Sequence, residues 1–167
     1  MKKLFLYALA ALLLAACATS RLTPQERAAK AAEQADRVAE AIANRHFTIA
    51  MDYVMPQRGA SRRISYGYEL TVHGDSVDSY LPYFGRAYRV PYGGGKALNF
   101  KAVANSYRST RVKRDLTRIE ITIRNEEDDY LYMIDVFDNG KATLEVQARE
   151  RERIGFSGEM VFNKERK

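Results

Sequence analysis

The 167-residue chain has one cysteine, two histidines, four prolines and no tryptophan. A single cysteine excludes a disulfide framework. His46 and His73 have no cluster of Cys, Asp or Glu beside them at ligand spacing, so the pattern offers no zinc or transition-metal site. They read as a helix-end cation and a turn residue. Glu126-Glu127-Asp128-Asp129 lacks the alternating ligands and central glycine of a calcium loop. The nucleophile and zinc-protease motifs G-x-S-x-G, S-x-x-K and H-E-x-x-H are missing as well. Gly93-Gly94-Gly95-Lys96 lacks the glycine spacing of a phosphate loop, and Ala97 stands where Ser or Thr would hold magnesium. Neither a cofactor nor a metal is expected. No apolar run approaches the roughly 20 residues of a spanning helix. With 46% hydrophobic and 29% charged residues, the composition is that of one globular domain.

What is present is informative first at the N-terminus. Met1-Lys2-Lys3 is a short basic region, and Leu4 to Ala16 is an unbroken apolar stretch ending in Leu14-Ala15-Ala16-Cys17. That order looks like a bacterial lipobox, in which the cysteine is acylated and becomes the mature N-terminus. Cys17 is therefore the expected lipid attachment site, with 1–16 a lipoprotein signal peptide and 17–22 a linker. Each buried acyl CH₂ contributes about 0.8 kcal/mol, so several chains anchor a protein durably. Removal of Lys2 and Lys3 lowers the formal charge from +6 to +4, that is 25 basic minus 21 acidic residues. So modest an excess gives no argument for nucleic acid. The residues after Cys17 lack an acidic cluster, which favours a lipid anchor in the outer membrane facing the periplasm.

Thr23-Pro24-Gln25-Glu26 predicts a helix start, with a capping residue, a first-turn proline and a capping-box glutamate. Ala28, Ala31, Ala35, Val38 and Ile42 then recur at helical spacing, giving an amphipathic helix over 23–46. From Phe47 the period becomes two. Phe47, Ile49, Met51, Tyr53 and Met55 alternate, as do Ile64, Tyr66, Tyr68, Leu70 and Val72, then Val77, Ser79 and Leu81, then Leu98, Phe100, Ala102 and Ala104. Ile119, Ile121 and Ile123 follow. Residues 130–137 and 141–148 flank Asp138-Asn139-Gly140, a type I′ hairpin signal, and the last strand alternates from Ile154 to Phe162. With no crossover helices available, the domain over 47–167 is expected to be mainly β, an antiparallel barrel or sandwich of about eight strands.

Meander order also predicts where the charge runs fall. Arg108 to Arg118 and the 138–140 turn should share one end of the sheet. Glu126 to Asp129 and Arg149 to Arg153 should share the other, as mutually neutralising surface turns.

The unusual stretch is Tyr80 to Gly95, where four tyrosines, a phenylalanine and two arginines lie among prolines and glycines. Tyr83, Arg86, Tyr88 and Tyr92 are the candidate ligand-binding residues, with Tyr faces for stacking and Arg for a carboxylate. The competing reading is a loop packed on its own sheet. Leu81-Pro82-Tyr83-Phe84-Gly85-Arg86-Ala87-Tyr88, with Gly74-Asp75 and Ile154-Gly155-Phe156-Ser157-Gly158, resembles a family of small Bacteroidetes lipoproteins known only as a domain of unknown function. The resemblance spans about residues 45 to 163 and departs at Glu150-Arg151, where the family pattern has Asn-Arg. It implies an exported protein and brings no activity with it.

The functional expectation is a lipid-anchored envelope protein whose β domain binds an envelope glycan or an envelope protein. The alternative is an envelope glycan hydrolase drawing carboxylates from separate strands, among Asp52, Glu69, Asp78, Glu120, Asp135 and Glu145. A third possibility is an interaction module in a larger complex, marked by an exposed apolar patch.

Overall fold

The structure is a computed structural model that describes residues 23–65, 67–89 and 95–162. The expected signal peptide over 1–16, Cys17 and the expected linker, together with Tyr66 and Tyr92, lie outside the described residues. The chain divides into two units at Glu33 and Gln34, inside helix α1 (Pro24–Ala43).

The first unit contributes the start of that helix. Thr23 and Glu26 form the capping box: the Thr23 amide donates to Glu26 Oε2 at 2.7 Å, and the Glu26 amide donates to Thr23 Oγ1 at 3.2 Å. Those bonds to Thr23 hold the Glu26 carboxyl below its usual range. Residues 23–33, including Ala28 and Ala31, are exposed.

In the second unit Val38 and Ile42 are the buried helical residues and join the core. The helix ends where Arg45 takes a left-handed conformation (φ 50°). Ten strands follow: β1 (His46–Pro56), β2 (Arg62–Arg63), β3 (Glu69–His73), β4 (Ser76–Tyr80), β5 (Asn99–Val103), β6 (Ser106–Lys113), β7 (Leu116–Arg124), β8 (Asp129–Phe137), β9 (Lys141–Ala148) and β10 (Ile154–Val161). They form one antiparallel sheet in the order β5-β4-β3-β1-β10-β9-β8-β7-β6, with β2 paired to β1. The sheet curls into a half-barrel. Its two outermost strands, β5 and β6, are consecutive in sequence and joined only by Ala104 and Asn105. A flat sheet of this order could not be joined by two residues, so the curl is a consequence of the connection.

Alternation fills the inner face. Ile49, Val54, Leu70, Val77, Ile119, Ile121, Tyr132, Ile134, Leu144 and Phe156 are essentially inaccessible to solvent, each contributing about 1.5–3 kcal/mol by burial. One polar pair lies among them. The Ser79 hydroxyl donates to the Leu98 carbonyl at 2.7 Å, so the Tyr132 hydroxyl is the donor to Ser79 Oγ at 3.0 Å. Burial pushes the Tyr132 phenol well above its usual range.

Four local features differ from the periodic reading. The alternation of β1 breaks at Asp52, an extra residue in the pairing with β10 between Met51 and Tyr53. Beyond this bulge Val54 faces the core, while Tyr53 and Met55 are 43% and 36% exposed. Of the predicted strand from Ile64 to Val72, only Glu69 to Val72 is strand among the described residues, within β3; the two-residue β2 precedes Ile64. Ser106 to Lys113 is a strand rather than part of a basic turn; as an edge strand it is exposed along most of its length, and its basic side chains discourage pairing with other chains. The β8–β9 turn carries a positive φ at Gly140 (83°) but not at Asn139, and the Gly140 amide donates to the Phe137 carbonyl. That is a type I turn followed by a glycine bulge, not type I′.

The charge runs meet as the meander requires. Arg111 forks onto Asp138 at 2.7 and 2.6 Å at one end, and 125–129 meets 149–152 at the other. The second meeting is buried rather than a surface neutralisation.

Candidate functional site

At that second end the β7–β8 turn is shaped by Asn125, whose side-chain oxygen accepts from the amides of Glu127 and Asp128 at 2.8 and 3.0 Å. This folds the Asp128 carboxylate inward, where its side chain is fully buried. It accepts from the amides of Asp129 (2.8 Å), Arg149 (2.9 Å) and Glu150 (3.1 Å). Arg151, only 6% exposed, places Nε 3.7 Å from Asp128 and Nη2 3.1 Å from Glu127. Glu127 also accepts from the Lys96 amide at 2.8 Å, and the Tyr130 hydroxyl donates to the Ala97 carbonyl at 3.0 Å. Three segments distant in sequence are thereby joined through two carboxylates and one guanidinium.

The aromatic segment docks on the same feature. Ala87 and Arg151 form an antiparallel bridge. The Tyr88 amide donates to the Glu150 carbonyl at 2.8 Å, and the Glu152 amide donates to the Arg86 carbonyl at 2.9 Å. Glu152 is buried and accepts from the Arg86 amide at 3.2 Å while Arg58 lies 3.2 Å from its other oxygen. The Tyr83 hydroxyl is shared between the carbonyls of Arg86 and Glu152, 3.0 Å from each. Burial raises the Tyr83 phenol above its ordinary value.

Of the four sequence-predicted residues, Tyr83 is thus bonded into the protein. Arg86 is exposed and Tyr88 is 62% exposed. Tyr92 lies outside the described residues. Phe84, beside them, is 38% exposed and carries the Arg62 guanidinium 3.8 Å from its ring centroid. The result is a fixed backbone that presents Phe84, Arg86 and Tyr88 outward.

Five of the six candidate carboxylates alternate with core residues and so lie on the outer face of the sheet, while Asp52 is the extra residue of the β1 bulge. Asp78, Asp135 and Glu145 are paired with Lys101, Arg118 and Arg153 at 2.8, 2.7 and 3.3 Å. Two pairs of the six line common clefts: Asp52 and Glu69 one of about 570 Å³ with Arg63, Ser65 and Tyr68, and Asp135 and Glu145 one of about 270 Å³ with Met55, Arg118 and Met133. Among the described residues no three His, Cys, Asp or Glu side chains are grouped as metal ligands. The two histidines, though, are cross-strand partners on β1 and β3, with ring centroids 4.6 Å apart. Among the same residues no helix is long and apolar enough to cross a membrane.

Asp128 and Arg151 were not legible as a buried pair. Charges at strand ends read as solvated, and only the asparagine at 125, a residue that favours turns, hinted that the acidic run folds inward.

Comparisons with known proteins agree with this architecture. The model of the domain of unknown function DUF4251 matches residues 29–160. The crystal structure of a DUF4251 family protein from Bacteroides eggerthii superposes with a TM-score of 0.58 at 12% identity, over 77% of this chain and 87% of that one. At that identity the likeness shows the fold alone. No curated protein matches the sequence.

Proposed function

Since the chain belongs to the DUF4251 family, for which no activity is known, we propose that it is a lipid-anchored protein of the cell envelope. Its β domain binds a carboxylate-bearing envelope glycan or partner without turning it over. The observation that carries this reading is the contrast within 83–88. The backbone is held by the Tyr83 hydroxyl, the Glu152 carboxylate and the bridge to Arg151, while Arg86 and Tyr88 have their side chains in solvent. Ordering a loop normally costs about 0.5–1.5 kcal/mol per immobilised side chain on binding, and a segment already fixed avoids part of that cost. Arg86 supplies a fork for a carboxylate and Tyr88 a flat face for a sugar ring or apolar side chain. Tyr83 is a positioning residue in this scheme. The anchor rests on the Leu14-Ala15-Ala16-Cys17 sequence, with the outer membrane facing the periplasm as its place.

Two measurements test the reading. Sedimentation with insoluble peptidoglycan should retain the protein, and Arg86→Ala with Tyr88→Ala should abolish retention while the circular dichroism spectrum stays unchanged. Undiminished retention of the double variant rejects the loop as the binding surface. The native protein should carry a diacylated or triacylated N-terminal cysteine by mass spectrometry. An intact leader or a free Cys17 thiol would remove the anchor.

A further inference from the structure

A second surface is independent of that loop. It starts from the bulge at Asp52. Asp52, the extra residue of β1, faces a cleft shared with the ends of β2 and β3 and with the described residues that connect them. This cleft is lined by Asp52, Arg63, Ser65, Tyr68 and Glu69, and its volume of about 570 Å³ suits a small organic ligand. Bulges recur where a side chain must be re-aimed at a site.

The hydrogen-bonding capacity of this cleft is unspent. Elsewhere on the domain several carboxylates are occupied: Asp75 with Arg45, Asp78 with Lys101, Asp128 with Arg151, Asp135 with Arg118, Asp138 with Arg111 and Glu145 with Arg153. Among the described residues, no ion pair or side-chain hydrogen bond involves Asp52, Arg63, Ser65 or Glu69. Two acceptor groups, one donor fork and one hydroxyl therefore face a common space without protein partners.

The wall of the cleft continues as an aromatic platform. Tyr68 is stacked on Tyr80, with centroids 5.5 Å apart and planes at 26°. Tyr80 is the cross-strand partner of Glu69 and remains 50% exposed. An exposed tyrosine backed by a second ring is a rigid flat surface with a polar tip, and flat rings beside free carboxylates are what the C–H face and hydroxyl rim of a pyranose require. Asp52 and Glu69 against Arg63 leave one net negative charge, so an anionic sugar is repelled.

We propose that this cleft is a carbohydrate subsite for a neutral oligosaccharide. One ring stacks on Tyr80 and its hydroxyls donate to Asp52 and Glu69. This chemistry is the opposite of the arginine-presenting loop, which suits carboxylates, and the two surfaces fail or succeed separately.

The test uses the full-length chain in detergent, titrated with N-acetylglucosamine tetramer and, in parallel, with oligogalacturonate, and followed by ¹H–¹⁵N shifts. The neutral tetramer should shift amides at 52, 63–65 and 67–69 and at 80. Tyr80→Ala should weaken binding about tenfold, Tyr80→Phe should retain it, and Asp52→Asn with Glu69→Gln should weaken it at least as much as Tyr80→Ala. Arg86→Ala should leave it unchanged. The proposal fails if the tetramer shifts none of these amides at millimolar concentration. It fails equally if Tyr80→Ala binds as the native chain does, or if oligogalacturonate binds this cleft more tightly than the tetramer.

Discussion

The Asp128 carboxylate, with no solvent exposure, lies 3.7 Å from Nε of Arg151, itself only 6% exposed, across 22 residues of intervening chain. Neither charge can be removed alone without leaving the other in a poorly hydrated place. Asp128 in addition satisfies three backbone amides.

Asp128→Ala should therefore lower unfolding free energy by about 3–5 kcal/mol. Arg151→Met should cost less, because Asp128 keeps its amide donors. Urea denaturation of both variants checks the ranking, and equal losses would show that the amide bonds contribute little.

Tyr83→Phe removes one hydroxyl shared by two carbonyls. A loss of about 1 kcal/mol is expected. The sharper readout is hydrogen exchange: the amides of Arg86, Tyr88 and Glu152 should exchange faster, while those of β8 and β9 keep their protection.

Alkaline pH should unfold the domain through its buried phenols. Burial pushes Tyr107 up to about 12 and raises Tyr132 further. A raised folded-state pKa means that stability is intact below the unfolded value near 10 and declines as pH climbs toward the folded value. Tyr107→Phe should flatten this decline between about pH 10 and 12. It also removes the hydroxyl donated to the Ile42 carbonyl at 3.1 Å, so its stability at neutral pH should be slightly lower. Unfolding midpoints measured across pH 8–12 test both.

Gly158→Ala should be among the most damaging single-methyl changes. Its Cβ would lie 2.0 Å from the Ala50 carbonyl oxygen, backbone that cannot move without disturbing the β1–β10 pairing beside the bulge. A loss of about 3 kcal/mol is expected by denaturant titration. A neutral result would mean that the two strands are not held in this register.

Periodicity was enough to predict the helix with its capping box, the core-facing residues of β7 to β10, and antiparallel order, because local sterics and one buried face act within a few residues of each position. The same logic placed the 126–129 and 149–153 runs at one end, since successive hairpins alternate ends. Non-local contacts decided the rest. The bulge at Asp52 is an event of β1–β10 pairing and leaves the composition of β1 unremarkable. The edge strand β6 partly buries only Tyr107 and is otherwise exposed, too little to impose a period. Whether Tyr83 faces a ligand or its own backbone depends on Glu152, sixty-nine residues away. The meeting of Asp52 with Glu69 and of Tyr68 with Tyr80 exists only once strands are paired. Candidate binding surfaces on this protein are therefore products of the sheet's register, which the sequence constrains through its core but does not state.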